Sequence, residues 1–193
     1  PRLSRAVTLL LLTSTSAFAA PATPEEAARL TALFQSHVGD VPGVFTVKPN
    51  GDAYDVTADA MPLLAKIPLQ PGEVKPMISI TPWQFQIADQ GNGKWLVTQN
   101  KPFDMSVKAE NQLDLAIKVG SVNYAATFDA NMRFFTSTKA DLGDITFSEK
   151  IDSPDTGKID VAFALKSMHY ESANREAAPG VVDGEGKATY VAL

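Results

Sequence analysis

The sequence contains no cysteine and only two histidines. The first absence excludes disulfides, thiolate zinc sites, iron–sulfur clusters and a cysteine nucleophile. A zinc site needs three or four convergent ligands, which two separated histidines do not supply. Positive charge is not in excess either. The 17 basic residues face 22 acidic ones, so nothing favours a nucleic-acid backbone as partner. Aromatic residues are 8% of the chain, thin for the girdles of an outer-membrane barrel. No Gly-x-Ser-x-Gly elbow, His-Glu-x-x-His pair or dinucleotide fingerprint occurs. The expectation is a protein that is not an enzyme and uses no cofactor. What is present is ordinary for a folded domain: 193 residues, 45% of them hydrophobic, suit a single core rather than disorder.

The beginning of the chain gives an address. Arg2 and Arg5 precede the apolar run Ala6–Leu12, and the small-residue end Ala17-Phe18-Ala19 follows. A basic start, a short apolar centre and an A-x-A end form the pattern of a secretory signal peptide cut after Ala19. The apolar centre is far shorter than the roughly 20 residues a spanning helix needs, and no later segment is long enough. Residues 1–19 are therefore expected to be removed, leaving 20–193 as one β-rich domain in the periplasm or outside the cell. Without cysteine the mature chain has no site for a lipoprotein anchor. The first residue is Pro1 and the last lies in an expected strand, so a longer reading frame is expected.

One helix is clearly written. Thr23-Pro24-Glu25-Glu26 supplies an N-cap hydroxyl, a first-turn proline and acidic residues at the positive end of the dipole. Ala27, Leu30, Phe34 and Val38 then fall on one stripe with Leu33 beside it, and Gly39 ends the run. The spacing predicts a helix over 24–38, docked by that stripe on a sheet.

From about residue 43 onward the pattern has period two. Val44–Lys48 and Ala53–Asp59 flank the hairpin signal Pro49-Asn50-Gly51-Asp52. Trp83, Phe85 and Ile87 lead into the turn Asp89–Gly93, with Trp95–Gln99 returning antiparallel. Phe103–Glu110, Leu113–Gly120 and Ser121–Phe128 alternate most regularly, with turns expected at Glu110-Asn111-Gln112 and around Gly120. Further strands are expected at Met132–Thr138, Ile145–Lys150, Lys158–Tyr170 and Lys187–Ala192. One apolar and one wet face mark an antiparallel meander. About ten strands cannot stay flat, so the sheet should curl into a half-barrel or barrel, or fold over as a sandwich, with the helix on its apolar face.

Two segments break the rhythm. Ala60–Pro76 carries Pro62, Pro68, Pro71 and Pro76 among Met61, Leu63, Leu64, Ile67 and Leu69. The prolines argue against a regular strand or helix there, yet the stretch is too apolar for an idle loop. Buried, it caps one end of the core; exposed, it is a stiffened lid for a ligand or partner. Met61, Leu63, Leu64, Ile67 and Leu69 are therefore the candidate ligand-binding residues. Glu171–Gly186, rich in Gly and polar residues, reads as a mobile loop.

The remaining candidates for chemistry have plainer explanations. His37 suits the last turn of the helix as a cap. His169 could act as a base oriented by Glu171, but the alternation of strand residues between faces counts against that pairing. Asp52, Asp55 and Asp59 could meet a hard cation, although solvation on a wet face accounts for them. Trp83 and Trp95 are expected to form a cross-strand core pair rather than a stacking platform.

From Pro24 to Leu193 this plan resembles two groups of Gram-negative envelope proteins: exported β-rich proteins of unknown role, and, more distantly, half-barrel carriers of lipids and lipoproteins. The resemblance lies in the layout of helix and meander, not in a motif, so no family residue is transferred. The one-sided strands beside the apolar, proline-stiffened loop lead to the expectation of a non-enzymatic periplasmic protein whose curved sheet offers an apolar concavity to a lipid, acyl chain or protein segment. The competing readings are an interaction module of a larger envelope protein with no cavity, an outer-membrane barrel, and an unrecognised hydrolase.

Overall fold

The computed structural model describes residues 21–39, 41–68, 75–109, 113–153 and 157–193. The expected signal peptide, Leu69, Pro71 and the Glu110-Asn111-Gln112 turn lie outside these residues. The chain runs α1 (Pro24–Ser36), β1 (Phe45–Asn50), β2 (Ala53–Ala58), α2 (Met61–Leu64), β3 (Met77–Ile80), β4 (Trp83–Gly91), β5 (Lys94–Gln99), β6 (Phe103–Ala109), β7 (Leu113–Asp129), β8 (Phe134–Ser153), β9 (Gly157–Ala178) and β10 (Val181–Ala192). All ten strands join one open antiparallel sheet. No helix among the described residues is long and apolar enough to cross a membrane.

Helix α1 begins as its sequence dictates. The Thr23 hydroxyl accepts the Glu26 N–H at 3.2 Å, and Pro24 fills the first turn. The Tyr54 hydroxyl accepts the Thr23 N–H at 3.2 Å, tying the helix start to β2. Ala27 and Leu30 are buried against Val47, Tyr54, Val56 and Ile87, with Phe34, Phe85, Trp95 and Val97 packed around them. Phe34 also meets Phe45 with ring centroids 5.5 Å apart. Leu33, at the margin of the stripe, is 46% exposed and does not join the core.

The turns at Gly51 and Asn92-Gly93 occur where expected. Gly51 has φ 62°, and Asn92 and Gly93 have φ 55° and 76°, the left-handed values that two-residue hairpin loops demand. A Cβ on Gly93 would stand 2.6 Å from the Asn131 side-chain amide, which would have to shift away from its bond to the Asn92 carbonyl.

Elsewhere several expectations are corrected. No turn occurs around Gly120: β7 continues through it for 17 residues. Met132 and Arg133 lie in the β7–β8 turn, and the rest of the expected strands Met132–Thr138 and Ile145–Lys150 belongs to one strand of 20 residues, β8. Glu171–Gly186 is not a loop but the meeting of β9 and β10. It turns at Pro179-Gly180, with Gly180 at φ 75° as a Pro-Gly turn requires. Glu171 pairs with Lys187 and Asn174 with Gly184 across that hairpin. The polar composition reflects two wet faces, not a missing ladder.

The mistaken turn at Gly120 has a physical origin. Apolar residues are odd-numbered from Leu113 to Val119 and even-numbered from Val122 to Phe128. The same slip occurs in β8, between Ile145 and Leu142, and in β9, between Leu165 and Met168. Register places Gly120, Asp144 and Lys166 in one row, and the ladders skip this row on both sides of β8. Asp144 has φ 51°, which inverts the pleat locally. The three strands thus share a transverse crease that turns both apolar phases to the same side. Gly120 is required at the crease because its added Cβ would lie 2.9 Å from the Asp144 Cβ. Gly120→Val is expected to destabilise the protein by about 1–3 kcal/mol through overpacking, measurable by chemical denaturation.

At the crease the sheet also forks. The first half of β7 pairs with β6, and β6 with β3. The second half of β7 pairs with β5, followed outward by β4, β2 and β1. The link Asn100-Lys101-Pro102 carries the chain from one branch to the other. On the far side of β7, strands β8, β9 and β10 extend the sheet. There Phe163, Tyr190 and Val191 are 51%, 71% and 53% exposed.

Candidate functional site

The cleft of the fork holds an apolar cavity of ≈ 550 Å³. Its floor is Val119 and Val122 from β7 and Leu142 from β8, three residues that a straight sheet would split between two faces. One wall comes from the branch β5–β4–β2–β1: Phe45, Ala58, Trp83 and Gln99. The other comes from Ile80, Thr81 and Phe103, at the facing ends of β3 and β6. Val38, just past α1, and Asp59, Ala60 and Leu63 complete the rim. Crease, fork and helix ends together produce the hollow.

The proline-rich segment contributes less to this site than its composition suggested. Leu63 lines the cavity. Leu64 is half-buried, whereas Met61 and Ile67 are 38% and 58% exposed. Leu69 lies outside the described residues. The exclusion of helix is corrected as well: Met61–Leu64 forms a single helical turn with Pro62 within its first two positions, where a missing N–H costs nothing. Asp59 starts that turn, its carboxylate accepting the Met61 N–H at 2.8 Å.

Most of the lining was not singled out from the sequence. Phe103, Val119 and Val122 read there simply as alternating strand residues, and the unmarked signal was the change of phase between the last two. Trp83 and Trp95 do not pair. Trp83 stands opposite Ala58, and Trp95 opposite Asp89 and Phe128, near opposite ends of the β4–β5 hairpin. Trp83 packs on Phe85 with ring centroids 4.9 Å apart and faces the cavity; Trp95 packs on the core below α1.

Polar candidates from the sequence are engaged locally. A His37 ring nitrogen lies 2.9 Å from the Leu33 carbonyl oxygen at the end of α1. The Asp55 carboxylate accepts Gln86 and Asn50 amides at 2.7 and 3.0 Å. The one fully buried carboxylate among the described residues, Asp129, accepts the Asn131 and Met132 N–H groups at 2.9 and 3.1 Å in the β7–β8 turn. No group of three or more potential metal ligands converges among the described residues.

His169 is held in a cross-strand cluster on β8 and β9. Its Nδ1 is 2.6 Å from Asp141 and its Nε2 3.4 Å from Glu171, which in turn pairs with Lys139 at 3.1 Å. Because 169 and 171 are two apart, they share a face, which corrects the objection to their pairing. The hydrogen bond that His169 donates to the Asp141 carboxylate raises the His169 pKa above its ordinary 6.5, with smaller contributions from the charges of Asp141 and Glu171. Lys139 lowers that of Glu171. A pKa raised in the folded state contributes stability fully below 6.5 and loses it as pH climbs through the raised value. Asp141→Asn should bring the His169 titration midpoint back down, as NMR of the imidazole protons would record.

Scans against family models, curated proteins and solved structures returned no match to this chain.

Proposed function

We propose that the chain is a non-enzymatic binding protein or carrier for a lipid or other apolar ligand, acting in the periplasm or outside the cell. The observation that carries this reading is the cavity at the fork. Its volume of ≈ 550 Å³ falls within the roughly 300–1,000 Å³ common for small-molecule sites. Its lining is predominantly aliphatic and aromatic, with a few polar groups at the rim, the composition such sites favour. The sequence start supports export: Arg2, Arg5, the Ala6–Leu12 run and Ala17-Phe18-Ala19 form the signal pattern.

A second reading, an interaction module of a larger envelope protein, is favoured by the exposed Phe163, Tyr190 and Val191 on β9 and β10. Organic extraction of protein purified from its exported form, followed by mass spectrometry, separates the two. The carrier reading expects stoichiometric lipid or uptake of added acyl probes by the emptied protein. Neither lipid nor uptake would leave the module.

A further inference from the structure

Resting on the lipid-carrier reading, we propose that the cavity selects by head-group charge: it takes single-chain lipids with an uncharged head, such as an alcohol, ester or amide, and rejects anionic ones. No lysine, arginine or histidine lines it among the described residues, and its one charged side chain is the carboxylate of Asp59. Asp59 is fixed from two directions. Its carboxylate accepts the Met61 N–H at 2.8 Å, and its own N–H donates to the Val44 carbonyl at 2.8 Å. The backbone bond fixes the position of Asp59, and the Met61 N–H holds its carboxylate at the rim.

The other polar lining groups are neutral. The Thr81 hydroxyl makes no hydrogen bond among the described residues, while its N–H donates to the Asp104 backbone carbonyl at 2.9 Å. Gln99 spends one amide hydrogen on the Lys101 carbonyl at 3.2 Å, so its carbonyl oxygen can still accept. A hydroxyl or amide head can exchange hydrogen bonds with these two groups. A carboxylate or phosphate would lose water beside Asp59 with no lining cation among the described residues to compensate, which is unfavourable. The apolar walls give affinity for the chain, and the rim decides which head is tolerated.

The test uses the full chain with dodecanol below its solubility limit and dodecanoate below its micelle concentration as probes at pH 8, read by Trp83 fluorescence in a Trp95→Phe background. Dodecanol should bind at least tenfold more tightly than dodecanoate. Asp59→Asn keeps an acceptor for the Met61 N–H and should narrow that gap severalfold by strengthening dodecanoate. Asp59→Ser is a second neutral cap for the case in which the first variant does not fold. Equal or tighter binding of dodecanoate overturns the charge selection but leaves the lipid reading standing. A gap that the Asp59 variants leave unchanged overturns it too. Binding of neither probe removes the carrier reading itself.

Discussion

Leu30→Ala is expected to cost the fold about 2–5 kcal/mol, with a matching fall in the denaturation midpoint. Leu30 is 4% exposed and belongs to the cluster of Val47, Tyr54, Val56 and Ile87. It is the largest α1 side chain in that cluster, so its removal strips the sheet of its main cover. Of the strands around it, β2 and β4 are hydrogen-bonded on both sides, which limits how far they close in on the void. Domains are typically stable by only about 5–15 kcal/mol, so the variant should be partly unfolded at modest urea concentration. Leu33→Ala is the control: an equal deletion at an exposed position, for which a change within about 0.5 kcal/mol is expected.

The second large effect concerns the cavity. Leu142→Trp places an indole on the floor beside Val119 and Val122, filling the space proposed for an acyl chain. Dodecanol affinity should fall at least tenfold, while the cavity accommodates the added volume and limits the cost of overpacking. Calorimetric titration measures the first expectation and urea denaturation the second. A variant that unfolds would be replaced by Val122→Phe, a smaller filling at the same floor.

The fold class and the first helix were legible because both rest on local signals. Thr23-Pro24-Glu25-Glu26 caps where it stands, and strict alternation needs an antiparallel sheet with one dry face. Gly51 and Asn92-Gly93 likewise announce their turns through the φ values only such residues adopt readily. What failed were inferences that need a partner strand. A phase slip at Gly120 looks like a turn in one strand; only the register with Asp144 and Lys166 shows it to be a crease shared by three. Asn174 and Gly184 look like loop residues until they are paired. Pro62 reads as a helix breaker, yet in a first turn it is compatible with the helix.

The candidate site was legible to a smaller degree still. Leu63 is the single residue of the proline-rich segment's five candidates that lines the cavity among the described residues. The remainder of the lining comes from strands whose residues meet through the fork, and a fork is a matter of which strand β7 pairs with along its length. Nothing in the composition of Phe103 or Ile80 announces that choice. The same holds for His169, whose partner Asp141 lies on the neighbouring strand.

Methyl NMR can place a bound lipid at the fork residue by residue. With isotope-labelled Leu, Ile and Val methyls, titration of dodecanol should shift Leu63, Ile80, Val119, Val122 and Leu142 together and saturably, leaving Val161 and Val191 in place. Saturable shifts confined to the β9–β10 surface, or no saturable shift at all, would contradict a lipid site at the fork.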